Sequence, residues 1–329
     1  MITRIAGTST ARARSVTVTL ALVVAATLQL LGANPAVSQS TAVEAMQVDQ
    51  VPDLDPGGSV WDRAPMAEVA LSAQSTTYPF GGSALPSVRV QAVHDGDALF
   101  IRVAWPDPTA DESTVASEDF ADAVAVQFPA IAASTAPPLC MGQADQGVNI
   151  WHWRADGQRG LPSSVEDLHV DGYVDGYPST DDLYFPARAA GNPNALTTLG
   201  PVQDLVAVGF GTLGPATDQT VTGSGRWDRD EWAVVFTRPL SSADAERPAF
   251  DVGSTTDVAV AAWDGAAGDR NGQKAVSAFL RLSISAADLP AAPRSDVALL
   301  LIIGATVAGV VAVGLGFTFL LEPRGQRSS

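Results

Sequence analysis

Lys274 is the only lysine in the chain; the other 18 of its 19 basic residues are arginine. An amine can lose its proton and offer a lone pair to a metal or an electrophile, whereas a guanidinium effectively cannot. A composition that avoids lysine would also leave a lone survivor, so Lys274 marks chemistry only if something in the chain gives it a target. Met141 is the second unusual residue. With residues 1–38 set aside as a leader, only Met46, Met66 and Met141 remain. Met141 sits in an irregular stretch, PPLCMGQADQG, just ahead of a strand-like run. Its thioether is a soft metal ligand. Cys140 beside it could ligate as a thiolate, but it reads more simply as a small buried residue. The three histidines, His94, His152 and His169, show no zinc-ligand spacing. No nucleophile elbow, P-loop or His-Glu-x-x-His occurs, so enzymatic activity in this chain alone is not expected.

Short apolar or alternating runs separated by turn residues must position these side chains. They are ALFIRVAWPD (98–107), AVAVQFP (123–129), GVNIWHWRAD (147–156), WAVVFTRPL (232–240), DVAVAAWDG (257–265) and KAVSAFLRLSI (274–284). No long amphipathic helical period interrupts them. The expected fold is therefore all-β, an antiparallel β-sandwich. A Gly/Pro/Asp-rich excursion at 157–200 separates the central strands. In the run GVNIWHWRAD Trp151 and Trp153 share one face, and Ile150 and His152 the other. The tryptophans could pack a core or wall a flat aromatic cofactor. Trp105, Trp263 and Phe279 belong to the same expected core.

The two ends set the expected topology. Residues 1–38 carry Arg4, Arg12 and Arg14 with no acid, then an apolar run and Ala36-Val37-Ser38, the pattern of a secretory signal peptide. Val297–Leu321 is uncharged and long enough to cross a bilayer. The tail after it carries Arg324 and Arg327, which favour the cytoplasmic side. The expected organisation is a signal peptide (1–38), an N-terminal linker (39–54), a β-sandwich domain (55–284), an Ala/Pro spacer (285–296), a transmembrane helix (297–321) and a cytoplasmic tail (322–329). That places a single-pass protein in the cell membrane, with its domain on the extracytoplasmic side. Residues 39–294 hold 14 basic and 34 acidic residues, 14 − 34 = −20. This excludes nucleic acid and anionic lipid surfaces as partners and suits a basic one. One cysteine excludes an intrachain disulfide, and no Cys-x-x-Cys-His is present for covalent haem attachment.

Seven segments carry a resemblance: ALFIRVAWPDPT, PPLCMGQADQGVNIWHWRAD, DLHVDGYP, YFPARAAGNP, PVQDLVAVGFGTLG, SGRWDRDEWAVVFTRPL and AAWDGAAGDRNGQKAVSAF. Together they resemble, in order and over about 55–284, the haem b-binding gamma subunits of the ethylbenzene dehydrogenase group. That group includes the corresponding subunits of dimethylsulfide dehydrogenase, selenate reductase and chlorate reductase. The resemblance implies a sandwich related to carbohydrate-binding and DOMON-type domains. It also implies one noncovalent haem b held between a methionine and a lysine. The methionine of the family's P-x-x-x-Met-Gly pattern falls on Met141, and the lysine of its Asn-Gly-x-Lys-x-Val-Ser pattern falls on Lys274. The resemblance implies partners as well: a molybdopterin catalytic subunit of the dimethyl sulfoxide reductase family, an iron–sulfur subunit, and a quinone-linked or cytochrome redox partner. The membrane helix at 297–321 departs from the family, whose gamma subunits are typically soluble. Two other readings stand beside this one. Related DOMON cytochromes pair methionine with histidine, which would use His152 or His169. A haem-free sandwich could hold a sugar on an exposed tryptophan such as Trp151 or Trp227.

Overall fold

The computed structural model describes residues 41–49, 52–75, 84–114, 116–130, 141–159, 200–242 and 247–290, together with Tyr78, residues 80–82 and Pro137. Within them run β1 (Ala42–Gln47), β2 (Met66–Ala70), β3 (Ser72–Ala73), β4 (Ser87–His94), β5 (Ala98–Pro106), β6 (Ala123–Pro129), β7 (Val148–Arg154), α1 (Ala155–Arg159) and β8 (Val202–Ala207). There follow β9 (Gly214–Pro215), β10 (Thr222–Trp227), β11 (Glu231–Pro239), β12 (Thr255–Trp263), β13 (Ala275–Val276) and β14 (Leu280–Asp288). The hydrogen-bonded order is β10-β11-β5-β4-β1-β14-β12-β6-β7-β8-β9, with β2 on β4, β13 on β12 and β3 on β13. β12 belongs to both halves of this path: Thr255–Val258 pair with β14, and Ala259–Trp263 pair with β6.

The path folds back on itself, because one buried cluster gathers side chains from both of its arms. Val103 and Val234 come from β5 and β11, and Val124, Val126, Trp151 and Trp153 from β6 and β7. Trp105 and Trp232 stack with ring centroids 6.4 Å apart, and Trp153 meets Trp232 edge-on at 5.0 Å. These rings join the two arms of a sandwich-like, all-β fold by large-area apolar contact. The expected strands at 98–107, 123–129, 147–156, 232–240 and 257–265 all form.

Three expectations need correction. Residues 39–54 are not simply a linker, since Ala42–Gln47 form β1 with Val43 and Ala45 buried. The alternation in AVEAMQ is too short to stand out, and long-range pairing decides it. β1 also lies parallel to both β14 and β4, so the sandwich is mixed rather than wholly antiparallel. Finally, KAVSAFLRLSI is not one uninterrupted strand. Val276 pairs with Ala261 and Leu280 with Val258, so Ser277–Phe279 set three residues against two on β12. This is a β-bulge, held by Ser277 N–H donating to Val260 O and by Val260 N–H donating to Ser277 Oγ at 2.9 Å each. The bulge leaves Phe279 half-buried rather than in the core.

Among the described residues no helix is long and apolar enough to cross a membrane. The span expected at 297–321, the leader at 1–38, Cys140, His169 and nearly all of the 157–200 excursion lie outside the described residues.

Candidate functional site: an apolar cavity on the outer face of the β6–β7–β12 arm

The run AVAVQFP is apolar at consecutive positions, which means that both faces of β6 need cover. Val124, Val126 and Phe128 face the main core. Ala123 and Ala125 face the other way, into a smaller cluster with Val148, Ile150, Leu205, Ala207 and Trp263, against which Met141 and Ala261 pack. A cavity of about 620 Å³ opens on this second face. Its floor holds Ala123 and Ala125 from β6 and Ala259 and Ala261 from β12, flanked by Ile150 and His152 from β7. These four methyl side chains, with Ala125 paired directly opposite Ala261, leave a low apolar platform. Its size is that of pockets for small molecules and cofactors, roughly 300–1,000 Å³.

Met141 and Lys274 both line this cavity. The structure therefore brings together the two residues that the sequence singles out, from positions far apart in the chain. Met141 has φ +63°, a left-handed conformation that non-glycine residues seldom adopt. Gly142 follows at φ +72°, and a Cβ there would meet Gln146 O at 2.3 Å. Gln143 and Gln146 then close a tight turn through paired backbone bonds of 3.1 and 2.8 Å. This strained turn aims Met141 into the cavity ahead of β7, and residues held in such conformations cluster at functional sites.

Lys274 is presented by a second turn. Arg270 and Gln273 bridge across Asn271-Gly272, and Trp263 Nε1 donates to Asn271 O at 3.2 Å. The backbone N–H of Lys274 donates to Gly81 O at 3.1 Å, and its carbonyl accepts from Gln74 N at 3.0 Å. Gly82 lies so close that a Cβ would sit 2.1 Å from Lys274 N, and its φ of +84° also disfavours any side chain. Gly82→Ala is therefore expected to push the Lys274 backbone off position. Ligand affinity of the cavity should fall by roughly ten-fold or more, as for other supports of a ligating group, and the backbone strain should lower the melting temperature as well. Equilibrium titration of the bound group, with a thermal melt alongside, checks this.

The Lys274 Nζ stands 5.0 Å from the centroid of Trp263, whose ring is the aromatic wall of the cavity. His152 lies 5.1 Å from the same ring, centroid to centroid. Burial, with the Arg154 and Lys274 charges adding to it, holds His152 down to about 3, so its imidazole is neutral at ordinary pH. Gln127 Nε2, also on the cavity lining, is buried without an acceptor. An orphaned donor beside the apolar floor fits a ligand with a polar edge. The rim carries exposed apolar side chains, with Tyr78 80%, Phe210 63% and Leu213 44% accessible.

The tryptophans divide differently from expectation. Trp151 and Trp153 are fully buried in the main core and do not wall the cavity; Trp263 does. Trp151 therefore offers no exposed platform for a sugar. Trp227 is part-buried, with its Nε1 donating to Asp107 O at 2.9 Å. The alanine floor, Gln127 and the bracing glycines were not singled out from the sequence. The small residues at alternate positions of AVAVQF and AVAAW are the signal that would have found the floor.

A family model described as "Ethylbenzene dehydrogenase" matches residues 58–275, a span that includes Met141 and Lys274. A respiratory nitrate reductase heme subunit of Haloferax mediterranei is 26% identical over 90% of this chain and 93% of its own length. The chlorate reductase subunit gamma of Ideonella dechloratans is 29% identical over 80% of this chain and 93% of its own. The dimethylsulfide dehydrogenase subunit gamma of Rhodovulum sulfidophilum is 29% identical over 75% of this chain and 84% of its own.

Proposed function

Because the chain belongs to the ethylbenzene dehydrogenase family, we propose that it is the electron-transfer subunit of an oxidoreductase complex, not the catalytic one. In this reading the cavity holds one noncovalent haem b, with Met141 and Lys274 as its axial ligands. The observation that carries the reading is that these two residues line one apolar cavity. The donor set suits the group. A thioether is a soft ligand that tends to raise haem potential, and a neutral amine supplies a lone pair. The bound group would supply reversible single-electron exchange. The chain's part is to hold it. Lys274 must give up its proton to ligate, because a metal takes only the neutral amine. The alanine floor would present an apolar face to a flat ring system, and Gln127 offers a donor to a polar edge.

The same reading gives the partners and the place. The partners are a molybdopterin catalytic subunit and an iron–sulfur subunit of the same complex, with a quinone-linked or cytochrome acceptor or donor beyond them. Residues 297–321 anchor the domain to the cell membrane after removal of the leader, with the haem domain outside and the C-terminus in the cytoplasm. One observation favours a second ligand pair, Met141 with His152: the imidazole lines the same cavity and stays neutral.

Haemin titration of the full chain in detergent, followed by reduction, tests the proposal. The expected result is saturation near one haem per chain and sharp low-spin b-type bands in the reduced spectrum. A folded, colourless protein that takes up no haem would overturn it.

A further inference from the structure

Outside the cavity, three carboxyl groups meet where three strands end. Asp107 directly follows β5, Asp122 directly precedes β6, and Asp264 directly follows β12. One carboxylate oxygen from each lies within 4.8 Å of those of the other two. Asp107 is 1% exposed and Asp122 fully buried. Among the described residues no arginine, lysine or histidine forms an ion pair with any of the three. Each carboxylate is oriented by neighbouring donors. Asp122 accepts from Gly265 N at 2.8 Å, Asp111 N at 2.7 Å and Trp232 Nε1 at 2.8 Å. Asp264 Oδ1 accepts from Ala267 N at 2.9 Å, and Asp107 Oδ1 from Thr109 N at 3.0 Å.

A separate observation shows what this arrangement lacks. Asp107 Oδ2 is buried, and no donor meets hydrogen-bond geometry with it. The indole N–H of Trp105 acts on this carboxyl but falls outside hydrogen-bond geometry, and it is orphaned too. A buried carboxylate oxygen without a partner is costly. Set among two further carboxylates, it is the environment of a cation ligand.

We propose that Asp107, Asp122 and Asp264 bind a calcium ion that ties the ends of β5, β6 and β12 together. The donor set is all oxygen, which selects a hard cation over zinc or copper. Three carboxylates can offer several oxygens at uneven angles, which calcium accepts. Magnesium demands a regular octahedron and keeps its waters, which a buried site of this kind does not favour. The ion would join the two arms of the sandwich beside the cavity. It would also fix the start of the Asp264–Lys274 loop, whose Gly265 N–H already donates to Asp122. Without the ion the competitor is a proton: burial, with the neighbouring Asp107 adding to it, pushes Asp122 up to about 7.

The test uses the full chain in detergent, stripped with a chelator and held at pH 8, where protons compete least. Calcium is added against potassium chloride of matched ionic strength. The melting temperature should rise by roughly 5–10 °C at saturation, and equilibrium dialysis should find about one tightly held calcium per chain. Asp264→Asn, at the half-buried member of the cluster, should weaken that binding at least ten-fold and remove most of the thermal shift. No shift and no bound calcium in the unaltered chain would overturn the proposal. So would a shift that Asp264→Asn leaves intact, since it would belong to the acidic surface. Because the readouts are melting and calcium binding without haem, failure here leaves the haem reading untouched, and failure there leaves this one.

Discussion

Lys274→Arg should abolish low-spin haem binding and leave the fold standing. The substitution keeps the positive charge and most of the side-chain length. It removes the one property ligation needs, since a guanidinium does not give up its proton at any pH a protein survives. The backbone of Lys274 is held by Gly81 O and Gln74 N, and neither bond depends on the side chain. The arginine can still stack on Trp263, which now stands 5.0 Å from Nζ. The melting temperature of the haem-free protein should therefore change by no more than about 2 °C, as for a substitution that leaves the core and backbone bonds intact. Haem affinity should fall by roughly 100-fold or more, beyond the loss typical of groups that merely support a ligand, and any residual complex should be high-spin. Met141→Ala should do the same from the other side. His152→Gln is the counter-test. If the imidazole is the ligand, that variant loses the low-spin bands and Lys274→Arg keeps them. Absorption spectra of the three variants, oxidised and reduced, decide between the pairs.

The second large effect lies beneath the cavity. Arg247→Ala is expected to destabilise the folded domain by roughly 3–5 kcal/mol. Asp204, in β8, is fully buried, and Arg247 Nη1 donates to its Oδ2 at 3.1 Å. The same guanidinium nitrogen donates to Thr220 Oγ1 at 2.7 Å and Asp218 O at 2.9 Å. Asn149 of β7 donates to Asp204 Oδ1 at 2.5 Å, and its own carbonyl oxygen accepts from Trp151 Nε1 at 2.9 Å and Arg238 Nη1 at 3.2 Å. Arg238 is itself buried against Phe250 and Trp151, 4.7 and 5.4 Å from their ring centroids. Burial already raises the Asp204 carboxyl despite these partners, so removing the arginine leaves a buried charge with too little compensation. Asp204 neighbours Leu205 on the cavity lining, so the network also sets where β8 lies beside β7 at the cavity's edge. Chemical denaturation should show the loss as a lower midpoint with an unchanged slope. Asp204→Asn combined with Arg247→Ala should recover part of it, because the unpaired charge is then gone.

The site was partly legible in the sequence. Lys274 stands out because its chemistry differs from arginine and the chain uses arginine everywhere else. Met141 stands out because methionine is scarce and this one precedes a strand in an irregular stretch. Neither observation carries a distance. That the two meet follows from β12 and β6 pairing side by side, with the turn before β7 and the turn after β12 opening over the same face. The expectation that Trp151 and Trp153 might wall a cofactor failed for a related reason. Period-two alternation says which residues share a face, but not which face turns to the core. Burial on both faces of β6 made the choice, and it left His152 and the alanines on the cavity side.

The amino-acid sequence alone determined the all-β character, most of the long strands and the two residues with distinctive chemistry, because these depend on local period and residue type. Tertiary structure alone decided the rest. It made Ala42–Gln47 a strand, since only β4 and β14 on either side satisfy its backbone. It turned Gly82 into a support for Lys274 through an approach across nearly 200 residues of chain, which no local pattern records. It also gathered Asp107, Asp122 and Asp264 at adjoining strand ends. Among 36 acidic residues these three look like any others until the fold buries them together.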